Sequence, residues 1–171
     1  MSQHYFREVS PEDPALQPIL NGLFAEYEAL YGDYFSSQQE EEQTAWYLPP
    51  HGLFIVLERD GEIIASGAFK PFDTETAELK RIWTRRDLRR QGLAQLILQE
   101  LEQRARRAGY RRVYLTTGFR QPAAVRLYTG YGYQPHFDLN CDMEIYSQPP
   151  YDGRLRFTKT ITAVAPVKEQ A

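Results

Sequence analysis

The chain passes from Ile82-Trp83-Thr84 through Arg89-Arg90-Gln91-Gly92-Leu93-Ala94 into a stretch of helical period, and this strand-to-helix turn constrains the chain more than any other feature. Ala94, Ile97, Leu98, Leu101, Ala105 and Ala108 recur at helical spacing, whereas Gln95, Gln99, Glu102, Gln103, Arg106 and Arg107 fill the other face and Gly109 supplies the stop. The first backbone N–H groups of a helix have no intrahelical acceptor, and the aligned peptide dipoles place partial positive charge there, so the turn is a natural seat for phosphate. Gly92 removes the Cβ that would hold a phosphate oxygen off the backbone, and Ala94 keeps the first turn thin. Arg89 and Arg90 can add charge-assisted hydrogen bonds.

The surrounding pattern predicts a short strand over residues 5–9 and then a helix that Asp13-Pro14 opens as N-cap and first residue. Ile19, Leu20, Leu23, Tyr27, Leu30 and Tyr31 form its apolar stripe. A weaker helical stretch covers residues 38–47 and ends at Pro49-Pro50. Strands are expected at 53–57 and 63–69, joined by the hairpin signal Asp60-Gly61, and again at 76–84 and 113–117. Pro122 opens a short helix, and residues 132–138 and 154–162 make a last strand pair, with the turn Pro149-Pro150-Tyr151-Asp152-Gly153 before the second. This order predicts a mixed sheet with helices on both faces, an α+β layer architecture.

A chain of 171 residues with 42% hydrophobic content suits one domain, expected over residues 1–162 with a frayed tail at 163–171. The single cysteine, Cys141, excludes an internal disulfide and favours a reducing compartment. No basic-then-apolar leader and no apolar run of membrane-spanning length occurs, so the expected location is the cytoplasm, away from any membrane. His4, His51 and His136 are scattered and the lone cysteine has no partner at ligand spacing, so no metal is expected. Phosphate-loop nucleotidase, zinc-protease and serine-hydrolase motifs are absent.

Arg89-x-x-Gly92-x-Ala94 resembles the Gln/Arg-x-x-Gly-x-Gly/Ala signature of the GCN5-related N-acetyltransferases (GNAT). Ala77-Glu78-Leu79-Lys80-Arg81-Ile82 is similar to the family's fourth strand. Gln121-Pro122-Ala123-Ala124-Val125-Arg126-Leu127-Tyr128, followed by Gly132-Tyr133, resembles its second signature. The resemblance implies a mostly antiparallel mixed sheet in which the strand at 78–84 splays from that at 113–117. It also implies acetyl-CoA as co-substrate, its pantetheine arm in that cleft. A homodimer is an assembly open to the family. Three departures stand out: Arg90 replaces a common glycine, Arg86 a common proline, and Gly130 interrupts the last turn before Gly132.

Acetyl transfer to an amine needs a base, because an alkylamine of pKa about 10.4 is mostly protonated near neutral pH. Glu78 is the first choice, acting directly or through water; the other reading is a strand glutamate paired with Lys80 or Arg81. Backbone N–H groups around Ile82, Trp83 and Thr84 are placed to stabilise the oxyanion if the strand edge there is open. The leaving thiolate needs an acid, and Tyr128 matches the family's tyrosine for that role, or else packs the short helix on the core. Gln121 stands where relatives often carry asparagine and can hydrogen-bond the cofactor arm. The expected contact set for acetyl-CoA is therefore Ile82, Trp83, Thr84, Arg89, Arg90, Gln91, Gly92, Leu93, Ala94 and Gln121.

Net charge of −3 hides an uneven distribution: acids cluster at Glu26, Glu28, Asp33 and Glu40-Glu41-Glu42, while arginines crowd residues 81–112. A polyanionic cofactor in the middle and a cationic acceptor at the front would explain it, as would solvated helix faces. Tyr27, Tyr31, Tyr34, Phe35, Trp46 and Tyr47 can line an acceptor pocket or pack the core. Small amine, amino acid, aminoglycoside-like compound and peptide terminus all stay open as acceptors. Two rival functions are an acyl-CoA sensor without catalysis and a nucleic-acid binder using Arg104, Arg106, Arg107, Arg111 and Arg112. The negative net charge and the lack of interleaved aromatics speak against nucleic acid.

Overall fold

The computed structural model describes residues 4–35 and 42–162. Strands β1 (His4–Glu8), β2 (Leu53–Arg59), β3 (Glu62–Pro71), β4 (Thr76–Thr84), β5 (Arg112–Gly118), β6 (Gln134–Pro135) and β7 (Arg154–Thr160) form one sheet in the order β1-β2-β3-β4-β5-β7-β6. All neighbouring pairs are antiparallel except β4 and β5, which run parallel. Helix α1 (Gln17–Tyr31) follows β1, α2 (Leu93–Arg107) bridges the parallel pair, and α3 (Pro122–Gly130) follows β5. Asp60 and Gly61 turn β2 into β3 with φ of 54° and 83°, the left-handed pair that suits a tight hairpin.

Strand alternation divides the apolar residues between two layers. Ile55, Leu57, Phe69, Leu79, Val113, Leu115, Leu155 and Phe157 join Leu93, Ile97, Leu98 and Leu101 of α2 in the larger core. A Cβ on Gly67 would lie 2.7 Å from Ile97 Cγ2, so this glycine lets α2 press directly on β3. Phe54, Val56 and Ala68 face the other way, against Leu16 and Ile19 at the start of α1. Helices thus cover both faces, as the sequence order predicts.

Several expected boundaries move, each for a local reason. Asp13 caps as expected, its Oδ1 accepting from Ala15 N at 2.9 Å, but the first turn at Pro14–Leu16 is a 3-10 helix. Pro18 has no N–H to close an α-turn onto the carbonyl of Pro14, which instead accepts from Gln17 N. Part of the expected helix at 38–47 lies outside the described residues; its end is one 3-10 turn at Thr44–Tyr47. The strand expected at 132–138 shrinks to Gln134–Pro135, where proline has no ladder donor to give. The tail at 163–171 lies outside the described residues.

The pairing of β4 with β5 covers only Thr76–Glu78 against Arg112–Tyr114. Beyond that point β5 continues on β7 alone, as far as Gly118 against Arg154. The splay implied by the family resemblance is therefore present. On its other edge β4 carries a bulge: Lys80 pairs with Ala68 and Trp83 with Ser66, so Arg81 and Ile82 oppose the single residue Gly67. Arg81 takes φ of 59° there, and Ser66 Oγ donates to its carbonyl at 2.9 Å.

Glu102 corrects the reading of the polar face of α2. It is 4% exposed and accepts from the Tyr133 hydroxyl at 2.7 Å and from Lys159 Nζ at 3.1 and 3.2 Å. Lys159 also donates to the Tyr131 carbonyl at 3.0 Å, so one buried carboxylate ties α2, the exit of α3 and β7 together. Removing one partner of a buried pair strands the other. Glu102→Ala is expected to cost about 3 kcal/mol in urea unfolding, with Glu102→Gln losing less because the amide still accepts from Tyr133.

Candidate active site

The turn before α2 carries two left-handed residues, Arg90 at φ 68° and Gly92 at φ 80°. A Cβ on Gly92 would meet nothing within 4 Å, so backbone conformation and close approach, not crowding, are what ask for glycine. The conformation of Arg90 accounts for the glycine common at that position in the family. Gly92 is the N-cap of α2 and gives no side-chain cap, so the first N–H groups of the helix, through Leu93 and Ala94, point outward. Gln91 and Gly92 are exposed and Leu93 is buried. Arg89 does not point at this mouth. Its Nη2 donates to Glu26 Oε2 of α1 at 2.6 Å and its Nε to the Thr84 carbonyl at 3.1 Å, and Arg86 reaches the same Glu26 at 3.4 Å.

The splay leaves the β5-facing backbone of β4 beyond Glu78 without a strand partner. Thr84 sits at its far end, and its Oγ1 is buried with no hydrogen-bond partner. Ile82 packs on the larger core, and Trp83 turns to the opposite layer, its Nε1 3.5 Å from where a Cβ on Gly22 of α1 would stand. Their side chains are committed to packing, so only their backbone faces the cleft.

Glu78 lies at the point where the two strands part. Its partner is Lys70 on β3, at 3.8 Å, rather than Lys80 or Arg81. Those two are held by Glu42: Arg81 Nη2 donates to Oε1 at 2.7 Å and Lys80 Nζ lies 3.1 Å from Oε2. Lys70 shares Glu42 at 3.7 Å and rests over the Trp46 ring at 4.3 Å. Burial pushes the Glu42 carboxyl up, but Lys80 and Arg81 outweigh it and hold the group below the usual carboxylate range. The Tyr47 hydroxyl also donates to Glu42, at 2.9 Å. Burial, then Glu42, and more weakly Glu78, raise that phenol.

Tyr128 packs on the core, as one of the two readings offered by the sequence expects. Its ring is 7% exposed and packs edge-on against Phe157 at 5.4 Å, while its hydroxyl makes no hydrogen bond among the described residues. Burial, and then the nearby Tyr27, raise its pKa, so it stays protonated at neutral pH. Gln121 Oε1 is already used: it accepts from Gly118 N at 2.9 Å, Thr117 Oγ1 at 2.7 Å and the Tyr31 hydroxyl at 3.3 Å. Only its amide NH₂ is left for a ligand.

Tyr31, which the sequence places on a helix stripe or a pocket wall, sits at the junction of α1, β5 and α3. Its hydroxyl accepts from Arg120 N at 3.2 Å and its ring packs on Phe35 and Phe119 at 5.1 and 5.2 Å. A Cβ on Gly118 would sit 2.1 Å from that hydroxyl, so the glycine makes room for it. No sequence pattern relates Tyr31 to Gly118 or Gln121. Of the acids proposed to attract a cation, Glu26 is occupied by arginines and Glu42 by three cations; Glu40 and Glu41 lie outside the described residues. Of the arginine strip, Arg104 pairs with Glu100 at 2.7 Å and Glu8 at 3.1 Å. Among the described residues no cluster of metal-ligating side chains occurs and no helix is long and apolar enough to cross a membrane.

Comparison with known proteins agrees with this architecture. The model of the acetyltransferase (GNAT) family matches residues 20–133. The uncharacterized N-acetyltransferase YjgM of Escherichia coli K12 is 30% identical over 138 residues, covering 76% of this chain and 81% of its own. A GNAT-family acetyltransferase of Staphylococcus aureus superposes with a TM-score of 0.69 at 13% identity, over 92% of this chain and 100% of its own. One from Elizabethkingia anophelis, solved with acetyl-CoA bound, gives a TM-score of 0.62 at 20% identity, over 92% of this chain and 97% of its own.

Gly92→Glu sets both a Cβ and a carboxylate at the mouth of α2. Isothermal titration with acetyl-CoA is expected to show affinity lowered by about 100-fold or more from like-charge repulsion and lost N–H access. Left-handed strain adds a folding cost of about 1 kcal/mol.

Proposed function

The chain belongs to the acetyltransferase (GNAT) family, and from that premise we propose that it transfers an acetyl group from acetyl-CoA to a primary amine by direct attack in a ternary complex. The observation that carries this reading is the three-residue pairing of β4 with β5, which opens a cleft whose apex holds Glu78. One domain, over residues 1–162, performs the reaction.

The donor supplies a thioester carbonyl, and the residues present suit it. The open N–H groups at Gly92, Leu93 and Ala94 suit the pyrophosphate, with Arg90 alongside and Arg89 after release from Glu26. The unpaired backbone of β4 and the orphaned Thr84 hydroxyl suit the polar arm, with the Gln121 amide opposite.

Glu78 takes a proton from the acceptor ammonium, which frees the nitrogen lone pair. The nitrogen then bonds to the carbonyl carbon, and backbone N–H groups around Ile82–Thr84 stabilise the negative charge that develops on oxygen. As the carbon–sulfur bond breaks, Tyr128 gives its proton to the departing sulfur, the acylated nitrogen sheds its remaining extra proton through water to the tyrosinate to leave a neutral amide, and Glu78 returns the first proton to solvent. The Tyr128 hydroxyl makes no hydrogen bond among the described residues and burial keeps it protonated, so the proton is present to be given.

Glu78→Gln is expected to lower kcat about 100-fold near pH 7 and by less near pH 9, where more of the amine is already neutral. Tyr128→Phe is expected to lower kcat at least about 10-fold with the acetyl-CoA dissociation constant unchanged. Thiol release on mixing with acetyl-CoA and an amine panel reads both. Saturable acetyl-CoA binding without thiol release from any amine would instead favour the sensor.

A further inference from the structure

Resting on the reading of Glu78 as the base, the cation beside it acquires a part in the reaction. Lys70 of β3, Glu78 of β4 and Tyr114 of β5 stand in one register row, so their side chains share a face of the sheet. The titratable groups around Glu78 among the described residues are Lys70, Tyr114, Glu42 and Tyr47 of the segment before β2, and Lys80 two residues along β4. Lys80 and Arg81 are taken by Glu42, at 3.1 and 2.7 Å, and Arg156 of β7 is taken by Asp152 at 2.7 Å. Burial raises the Tyr114 phenol, Arg156 draws it down, and Glu78 adds a smaller rise. Among the described residues Lys70 is therefore the cation left to form an ion pair with Glu78.

Three contacts fix Lys70. Its Nζ lies 3.8 Å from Glu78 Oε1, 3.7 Å from Glu42 Oε2 and 4.3 Å over the Trp46 ring. A Cβ on Gly52 would strike the Trp46 carbonyl and stand 2.9 Å from that of Phe69, so glycine there lets the tryptophan close on β3 beside Lys70. The side chains of Lys70, Glu42 and Glu78 are 13%, 15% and 16% exposed, so water screens their charges weakly. At 3.8 Å the ammonium stands beyond hydrogen-bond distance, and it favours the charged carboxylate without occupying its oxygens. A contact as short as that of Lys80 with Glu42 would compete with an acceptor for the same lone pairs.

We propose that Lys70 is a positioning residue for the base: seated over Trp46 and shared with Glu42, it holds the Glu78 carboxylate charged beside the fork of β4 and β5 and leaves both its oxygens free to take the acceptor's proton. Lys70 acts through Glu78 and needs no contact with the substrate. The share of its charge that Glu42 keeps tunes the base, because a cation drawn away from Glu78 leaves that carboxylate the readier to accept a proton.

Side-chain carboxyl carbon-13 NMR of the full chain tests this directly, the Glu78 resonance being the one lost in Glu78→Gln. Losing a nearby cation disfavours the charged carboxylate, so Lys70→Met is expected to move the Glu78 titration midpoint up by about one pH unit, whereas Lys70→Arg keeps the charge and leaves it near that of the unaltered protein. Glu42→Gln removes the competing carboxylate and is expected to move the midpoint down. A role for Lys70 in packing alone would not give shifts of opposite sign. The acid limb of kcat, read by thiol release at saturating acetyl-CoA with whichever of phenethylamine, phenylalanine and spermidine turns over fastest, is expected to follow the midpoint with the KM for acetyl-CoA unchanged. A midpoint that Lys70→Met leaves in place or lowers overturns the proposal and leaves the transferase reading standing. If Lys70→Met does not fold, Glu42→Gln decides alone, and a midpoint it leaves in place or raises overturns the proposal. A midpoint that moves while the acid limb stays defeats Glu78 as the base and this inference with it, and acetyl-CoA binding with no thiol release from any of the three amines defeats the transferase reading and this inference together.

Discussion

The parting of β4 from β5 after Glu78 is the constraint on which the rest of the structure depends. A strand that stopped pairing with both neighbours would leave costly backbone groups buried. Here β5 keeps β7 as a full partner through Gly118, and the Gly118 N–H is taken by the Gln121 side chain instead of by β4. Tyr31 reaches from α1 into the larger core, which otherwise belongs to the opposite face of the sheet, and its hydroxyl meets Gln121. The gap is thus braced by an aromatic ring and a side-chain amide, leaving open the β4 edge beside which Thr84 lies.

The bulge on the other edge of β4 serves the same end. By placing Arg81 at φ 59° it turns that side chain to Glu42 and Phe24 and sends Ile82 and Trp83 to opposite layers. Glu42 gathers Arg81, Lys80 and part of Lys70, and so among the described residues Glu78 has one long ion pair, at 3.8 Å. Tyr128 packs on Phe157 within the larger core, and its phenol is raised by burial and then by Tyr27 of α1.

Charge is arranged by pairing rather than by regional excess. The acids early in the sequence suggest a site for a cation, but Glu26 holds Arg86 and Arg89 and Glu42 holds lysines and an arginine. Of the arginines after the turn before α2, Arg104 is shared between Glu100 and Glu8, and Arg112 lies 4.0 Å from Glu75. A run of like charge along a chain says little about the local field once partners from distant strands have arrived.

The sequence by itself determined the elements and the phosphate-facing turn, because these rest on short-range physics: alternation in strands, helical period, the Asp60-Gly61 hairpin, and glycine at a left-handed helix start. It also marked Glu78 and Tyr128 through their places in two signatures. It missed the burial of Glu102, whose partners Tyr133 and Lys159 lie 31 and 57 residues away, and it mispaired Glu78, whose ion partner is set by register with β3. Only the tertiary structure decided the length of the β4–β5 pairing, the place of Tyr31 under Gly118 and the engagement of Gln121. Each of these is a contact between side chains or strands far apart in sequence, and such contacts follow from register and packing, to which local periodicity is blind.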